Sequence, residues 1–245
     1  MLTTFRDLFA PPRHMILLVI AAWVGLSLAE KRAEHHGVGR EHLSNLTFYS
    51  IVGFLIGGRV LFALQNLVAF TKNPLDLISI NPGLFDLIGA LAVAFIVALI
   101  YAQKHGLFPW AVLDALTPFF AILAIGVGLS HLAAGTAFGF PTDIPWAIDL
   151  WNDKRHPAQI YEILMAFLIF MLLWKKRPDP HPGIDFLIFA ALTAASRLFL
   201  SAFRGDSTLV LNGLHREQVL AWVALAVCFT LFEFRLKQPK RDNTS

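Results

Sequence analysis

The sequence predicts an all-α polytopic membrane protein of seven transmembrane helices, with its N-terminus outside and its C-terminus inside. Three observations predict it. Of 245 residues, 56% are hydrophobic and 15% charged, more apolar surface than a soluble domain of this length buries. The apolar residues gather in seven runs, and the cations gather in alternate loops.

The runs fall at about 15–29, 46–69, 84–102, 108–133, 158–174, 183–203 and 217–234, each near the roughly 20 residues that a helix needs to cross a bilayer. The first and fifth are short and need snorkelling ends or local thinning. The first also has the outline of a secretory signal peptide ending in "LSLAE", but basic residues follow it rather than only preceding it. No Ser/Gly linker, low-complexity block or internal repeat divides the chain, so residues 1–245 are read as one integral-membrane domain.

Cytoplasmic loops collect Lys and Arg. An outside N-terminus places eleven cations inside (Lys31, Arg32, Arg40, Lys104, Lys175, Lys176, Arg177, Arg235, Lys237, Lys240, Arg241) and seven outside (Arg6, Arg13, Lys72, Lys154, Arg155, Arg204, Arg216). The pI near 9.2 therefore reports topology and not nucleic-acid binding. Residues 71–83, "TKNPLDLISINPG", have the spacing of a stretch lying along the outer interface. The longest loop, 135–154, carries Trp146 and Trp151, which suit the headgroup level. Cys228, the single cysteine, is read as a packing residue. No cofactor and no metal is expected.

Charge inside hydrocarbon costs about 2.5–3.5 kcal/mol on insertion scales, so each buried ion needs a reason. Arg59 lies about two turns from the outer end of helix two, and Asn66 closes that helix. Asp86 and His131 lie near the outer ends of helices three and four, and Gln218 opens helix seven. Arg197 and Arg204 are seven apart, with Thr193 and Ser201 on the same face, forming a polar stripe that leads in from the outer surface. In "DKRHPAQIYE", Pro157 fits the first turn of helix five, Gln159 and Glu162 project to one side, and Arg155 and His156 stay in the turn before it. Asp114, near the inner end of helix four, is read as structural. Arg59 and Arg197 have an alternative use as interhelical ion pairs with Asp86 or Glu162. Arginines offer a bidentate fork to phosphate, and a His or carboxylate beside them can take a proton from a nucleophile. These residues point to a phospholipid-handling membrane protein and leave the acceptor open.

"RHPAQIYE" at 155–162 closely resembles the Arg-His-Pro-Ser/Ala-Gln-Leu/Ile-Tyr-Glu signature of bacterial prolipoprotein diacylglyceryl transferases. In the same order as that family come "LAEKRAEHHGVGREHLSNL", "GFLIGGRVLFALQN", "LIGA", "VLDALTPFFAIL", "GIDFLIFAALTAASRLFLSAFRG" and "REQVLAW", so the resemblance spans about residues 15–235. It implies a seven-helix protein of the bacterial inner membrane with a periplasmic N-terminus. It also implies transfer of the diacylglyceryl group of phosphatidylglycerol to the lipobox cysteine of a preprolipoprotein, with release of glycerol phosphate. Arg197 matches the family's essential helix-six arginine and Arg204 a second one. Arg59, Asn66, Asp114, Gln159, Tyr161, Glu162 and Gln218 also fall on matching positions. Arg197, Arg204 and Arg155 are expected to hold the phosphate, with Gln159, Tyr161, Arg59, Asn66 and Gln218 lining the lipid site. His131 or His156, together with Glu162, is the candidate for proton transfer.

The chain also departs from the family. Leu84 stands where the family's His-Gly-Gly has its histidine. Gly128 and His131 replace the arginine and asparagine of Gly-Arg-Leu-Gly-Asn, Thr193 and approximately His14 stand for tyrosines, and the periplasmic head insertion is shortened. The phosphate-facing half of the implied site is kept, and the half assigned to proton transfer is altered. Two alternatives therefore accompany the transferase expectation: a paralogue serving another acceptor, and a non-catalytic phospholipid-binding protein.

Overall fold

The computed structural model describes residues 14–68, 84–206, 209–210 and 213–238. The helices are α1 (Met15–Ala33), α2 (Arg40–Gln65), α3 (Leu87–Lys104), α4 (Pro109–Ala134), α5 (Ala158–Lys175), α6 (Ile184–Leu200) and α7 (Arg216–Leu236). By length and composition six of the described helices, α2 to α7, are apolar enough to cross a membrane, α6 with its 3-10 extension to Phe203. α1 has 19 residues, but Glu30, Lys31 and Arg32 occupy its last turns. The stretch 71–83 expected at the interface lies outside the described residues.

The observed helices overlap the expected runs and differ at their ends. α2 begins at Arg40, ahead of the apolar run, because Leu43, Leu46 and Thr47 of its polar opening turns are buried. Composition marks only where a helix is greasy; packing decides where it starts. The chain is mostly helical, as expected, and among the described residues two short antiparallel strand pairs add to the helices, β1 (Ile148–Leu150) with β2 (Asp153–Arg155) and β3 (Leu209–Val210) with β4 (Leu214–His215). The first turns through Trp151 and Asn152 at φ 56° and 64°, the left-handed pair that matches hairpin twist. Strands of two or three residues leave no trace in apolar periodicity of membrane length.

α4 is the centre of the bundle and the most buried span. It packs on α1, α5 and α6, while α2 pairs with α3 and α6 with α7. Lipid gives no hydrophobic drive to helix association, so close approach of small residues has to hold the bundle. A Cβ on Gly128 would lie 2.7 Å from Cγ1 of Ile163, so α4 and α5 cross there nearly backbone to backbone. That crossing sits one residue from Glu162.

Charged residues cap helix ends at the pole where α4 and α6 begin and α5 and α7 end. Asp114, 1% exposed, accepts hydrogen bonds from the backbone N–H of Gly183 at 2.5 Å and Phe186 at 2.9 Å, which satisfies the open N-terminus of α6. Its structural role follows directly. Arg32 gives Nη1 and Nη2 to the carbonyls of Leu173 and Lys176 at the end of α5, at 3.0 and 2.8 Å. Buried Arg235 donates Nε to the Pro182 carbonyl at 2.8 Å and lies over the rings of Phe108 and Trp110.

Asp86 caps α3: its carboxylate accepts from the Gly89 N–H and from Nε2 of Gln65, each at 2.6 Å. The Gly89 hydrogen bond first, and then the Gln65 one, hold its pKa below the usual 3.8. A carboxylate lowered on folding stabilises above its unfolded pKa and loses that contribution as pH falls through the folded value. Asp86→Asn should therefore flatten the acid limb of a thermal-stability profile below about pH 4. Asp114→Ala strands two buried donors at about 1–3 kcal/mol each. Its Tm in detergent should fall by about 5 °C or more, with Asp114→Asn losing less.

Candidate functional site

The C-terminus of α4, the N-terminus of α5, the end of α6 and the start of α7 meet at the opposite pole. Backbone hydrogen bonds stitch the connecting segments over it. Phe140 N–H donates to Phe203 O at 3.0 Å, Gly205 N–H to Phe138 O at 2.9 Å, and His156 N–H to Phe140 O at 3.0 Å. A Cβ on Gly139 would lie 2.5 Å from Cβ of His156, so only glycine lets the loop pass that close.

Glu162 is the hub beneath this cover. Its side chain is 6% exposed and carries Arg197 Nη1 at 2.8 Å, His131 Nδ1 at 3.5 Å and Arg204 Nη1 at 3.9 Å. Groups from α4, from α6 and from the bend after α6 thus meet at one carboxylate. A buried carboxylate is tolerable only when paired in this way. The Arg197 contact is a charge-assisted hydrogen bond, whereas the His131 contact is at ion-pair distance. One turn earlier on the same face, fully buried Gln159 donates Nε2 to the Thr136 carbonyl at 2.8 Å just past α4, which locks α5 to the end of α4.

Arg204, on the bend after α6, is clamped. Asp206 takes Nε at 3.0 Å and Nη2 at 3.2 Å, and Glu217 at the start of α7 takes Nη1 at 2.7 Å. Burial opposes charge on Arg204, but the Asp206 hydrogen bond and the Glu217, Asp206 and Glu162 carboxylates outweigh it and raise its pKa. The group stays a cation. Asp206 and Glu217 were not among the residues singled out from sequence. Glu217 in the first turn of an apolar helix reads as an ordinary partner of the helix dipole.

The other expected site residues divide. Arg155 serves the hairpin: its Nε and Nη1 donate to the carbonyls of Leu150 and Gly139 at 3.2 and 3.4 Å, Nη2 meets Asp153 at 2.8 Å, and the guanidinium covers the Phe138 ring. His156 packs edge-on against Tyr161 and Phe203, with Nδ1 buried and without a hydrogen bond among the described residues. Tyr161 Oη accepts from Trp146 Nε1 at 2.8 Å, tying the loop to α5. Gln218 accepts from the His215 N–H at 3.2 Å, within the capping box that opens α7. Arg59 and Asn66 belong to the α2–α3 pair: Arg59 Nη1 donates to Leu84 O at 2.9 Å and Asn66 Nδ2 to Phe62 O at 2.9 Å. Of the two histidines, His131 is the one that meets Glu162.

Fold and site together define a multi-span helical membrane protein with a charged cluster gathered under a loop at one pole. A profile described as prolipoprotein diacylglyceryl transferase matches residues 13–233, and the chain belongs to that family. Similar proteins named phosphatidylglycerol–prolipoprotein diacylglyceryl transferase include one from Clostridium tetani, 28% identical over 89% of this chain and 90% of the relative. Another, from Vibrio parahaemolyticus, is 32% identical over 72% of this chain and 67% of its own length. A third, from Aeromonas hydrophila, is 33% identical over 67% and 64% respectively.

Glu162→Ala removes the closest partner of Arg197 in a largely enclosed place, and Arg197→Met removes the charge it answers. The double mutant should recover stability relative to the sum of the single losses, with a coupling of about 1–3 kcal/mol in detergent unfolding. Strictly additive losses would mean that the pair is not formed.

Proposed function

We propose that this chain transfers the diacylglyceryl group of phosphatidylglycerol to the lipobox cysteine thiol of a preprolipoprotein, at the outer face of the bacterial inner membrane. One observation carries it: Arg197, His131 and Arg204 converge on Glu162 at one pole of the bundle. That pole is the outer one if the chain crosses seven times from an outside N-terminus to an inside C-terminus as a single domain. The count of eleven cations against seven supports this orientation.

The chemistry assigns roles by exposure and partners. Thiolate, not thiol, is the nucleophile. His131, 32% exposed and backed by Glu162, takes the thiol proton, and the carboxylate stabilises the imidazolium that forms. Sulfur attacks the glycerol carbon of the lipid, the C–S bond forms, and the C–O bond to phosphate breaks with its electron pair going to oxygen. Arg197, at 36% exposure with a single carboxylate hydrogen-bonded to it, receives the charge on the departing glycerol phosphate. Arg204 holds the carboxylates in place.

Leu84 and Gly128 favour a second reading, transfer of the same group to another acceptor. Neither side chain can supply the proton transfer or charge that the family's residues imply, and the tight Gly128–Ile163 crossing leaves no room for an arginine in this packing.

Purified chain in vesicles containing labelled phosphatidylglycerol and a lipobox peptide should yield a thioether-linked diacylglyceryl peptide. Arg197→Ala should lower kcat/KM by about 100-fold or more, and His131→Ala by about 100-fold with loss of the acid limb of the pH–rate profile, the fall in rate that protonation of a base causes. No thioether from the peptide, with product from other thiols or alcohols, would establish the second reading. A His131→Ala variant with unchanged rate and pH profile would remove His131 as the base.

A further inference from the structure

His131 stands in the last turn of α4, which ends at Ala134. Carbonyls of a last turn have no partner inside their own helix, so the segment that follows decides how firmly the turn is held. Here that segment folds back. Gly135 enters the left-handed region at φ 67°, and two backbone hydrogen bonds close the helix end: Gly135 N–H donates to Leu132 O at 3.3 Å and Thr136 N–H to His131 O at 3.0 Å. They are the paired bonds of a Schellman end. The backbone of His131 is thereby tied to Thr136, beyond the helix.

Two side chains from outside α4 hold this capping turn. Trp151, in the turn of the β1–β2 hairpin, donates Nε1 to Gly135 O at 3.0 Å, and Gln159 donates Nε2 to Thr136 O at 2.8 Å. Gln159 is fully buried and precedes Glu162 by one turn of α5. A closed circuit results. It runs from Gln159 to Thr136, from Thr136 to His131, from His131 Nδ1 to Glu162 at 3.5 Å, and back along α5. A contact of that length has little slack: a misplacement of about 1 Å breaks it, and misplacements of that size cost catalysis heavily.

We propose that Gln159 is a positioning residue: by holding the capping turn of α4 it sets His131 against Glu162, and it makes no contact with the lipid. This rests on the transferase reading for the use of His131 as a base. Family resemblance groups Gln159 with the residues that line the lipid, but its side chain is enclosed between α5 and the end of α4.

Gln159→Met tests the assignment. Methionine keeps the length of the side chain and removes the amide, whose Oε1 has no hydrogen bond among the described residues, so the bond lost is the one to Thr136. In vesicles with labelled phosphatidylglycerol and a lipobox peptide, the variant should lower kcat by about tenfold or more and keep both KM values within about twofold. In a His131→Ala background the same substitution should change the residual rate by less than about twofold, because the group it positions is gone. An equal loss in both backgrounds, or a rise confined to the KM for lipid, overturns the proposal. Trp151→Phe, at an exposed site, removes the Gly135 bond and should show the same dependence on His131 at smaller size, which decides the matter if Gln159→Met does not fold. Wild type that transfers nothing would remove the transferase reading, and thermal unfolding in detergent would then decide the positioning. The Tm losses of Gln159→Met and His131→Ala should add to more than the loss in the double variant, whereas strict additivity overturns the coupling.

Discussion

The pairing of Glu162 with groups from α4, α6 and the bend after α6 is the constraint on which its pole of the bundle depends. A carboxylate this enclosed is strongly disfavoured in a low-dielectric surrounding unless cations and donors answer it. Arg197 answers from α6 at 2.8 Å, with His131 from α4 and Arg204 beyond α6 completing the ring. The ring in turn fixes how far α4, α5 and α6 can rotate about their axes. One residue later on α5, Ile163 meets Gly128 where no Cβ fits, so steric contact and charge agree on the same register. The charged cluster is thus part of the packing.

The two poles spend charge in different ways. At the pole built on Asp114, Arg32 and Arg235, the charged groups close helix ends: Asp114 answers α6 N–H groups, and Arg32 answers α5 carbonyls. Charges used in this way satisfy the backbone and have little left for a ligand. At the Glu162 pole the charges meet one another across helices, and Arg197, His131 and Glu217 keep a third of their surface open. Such partly answered groups are the ones a substrate can complete.

Much of the fold and part of the site were legible in the sequence. Six apolar runs correspond to helices of spanning length, because hydropathy is a sum over neighbouring residues and survives without knowledge of the packing. The octapeptide placed Gln159 and Glu162 on one helical face, and the buried pair on α5 follows that spacing. Arg197 and Arg204 share one helical stripe by their spacing, and both approach Glu162. The β1–β2 hairpin is not legible in the sequence, because its signal is a two-residue turn inside a long polar loop.

The sequence alone determined which segments are apolar enough for a membrane and which polar residues interrupt or border them. Tertiary structure alone decided which of those residues meet. It brought His131 to Glu162 and packed His156 against Phe203 and Tyr161. It tied Arg155 to its own hairpin and closed Arg204 between Asp206 and Glu217. The reason is physical: a residue's fit to lipid is a local property, whereas an ion pair depends on helix rotation and crossing, which small residues such as Gly128 set through contacts distant in the chain.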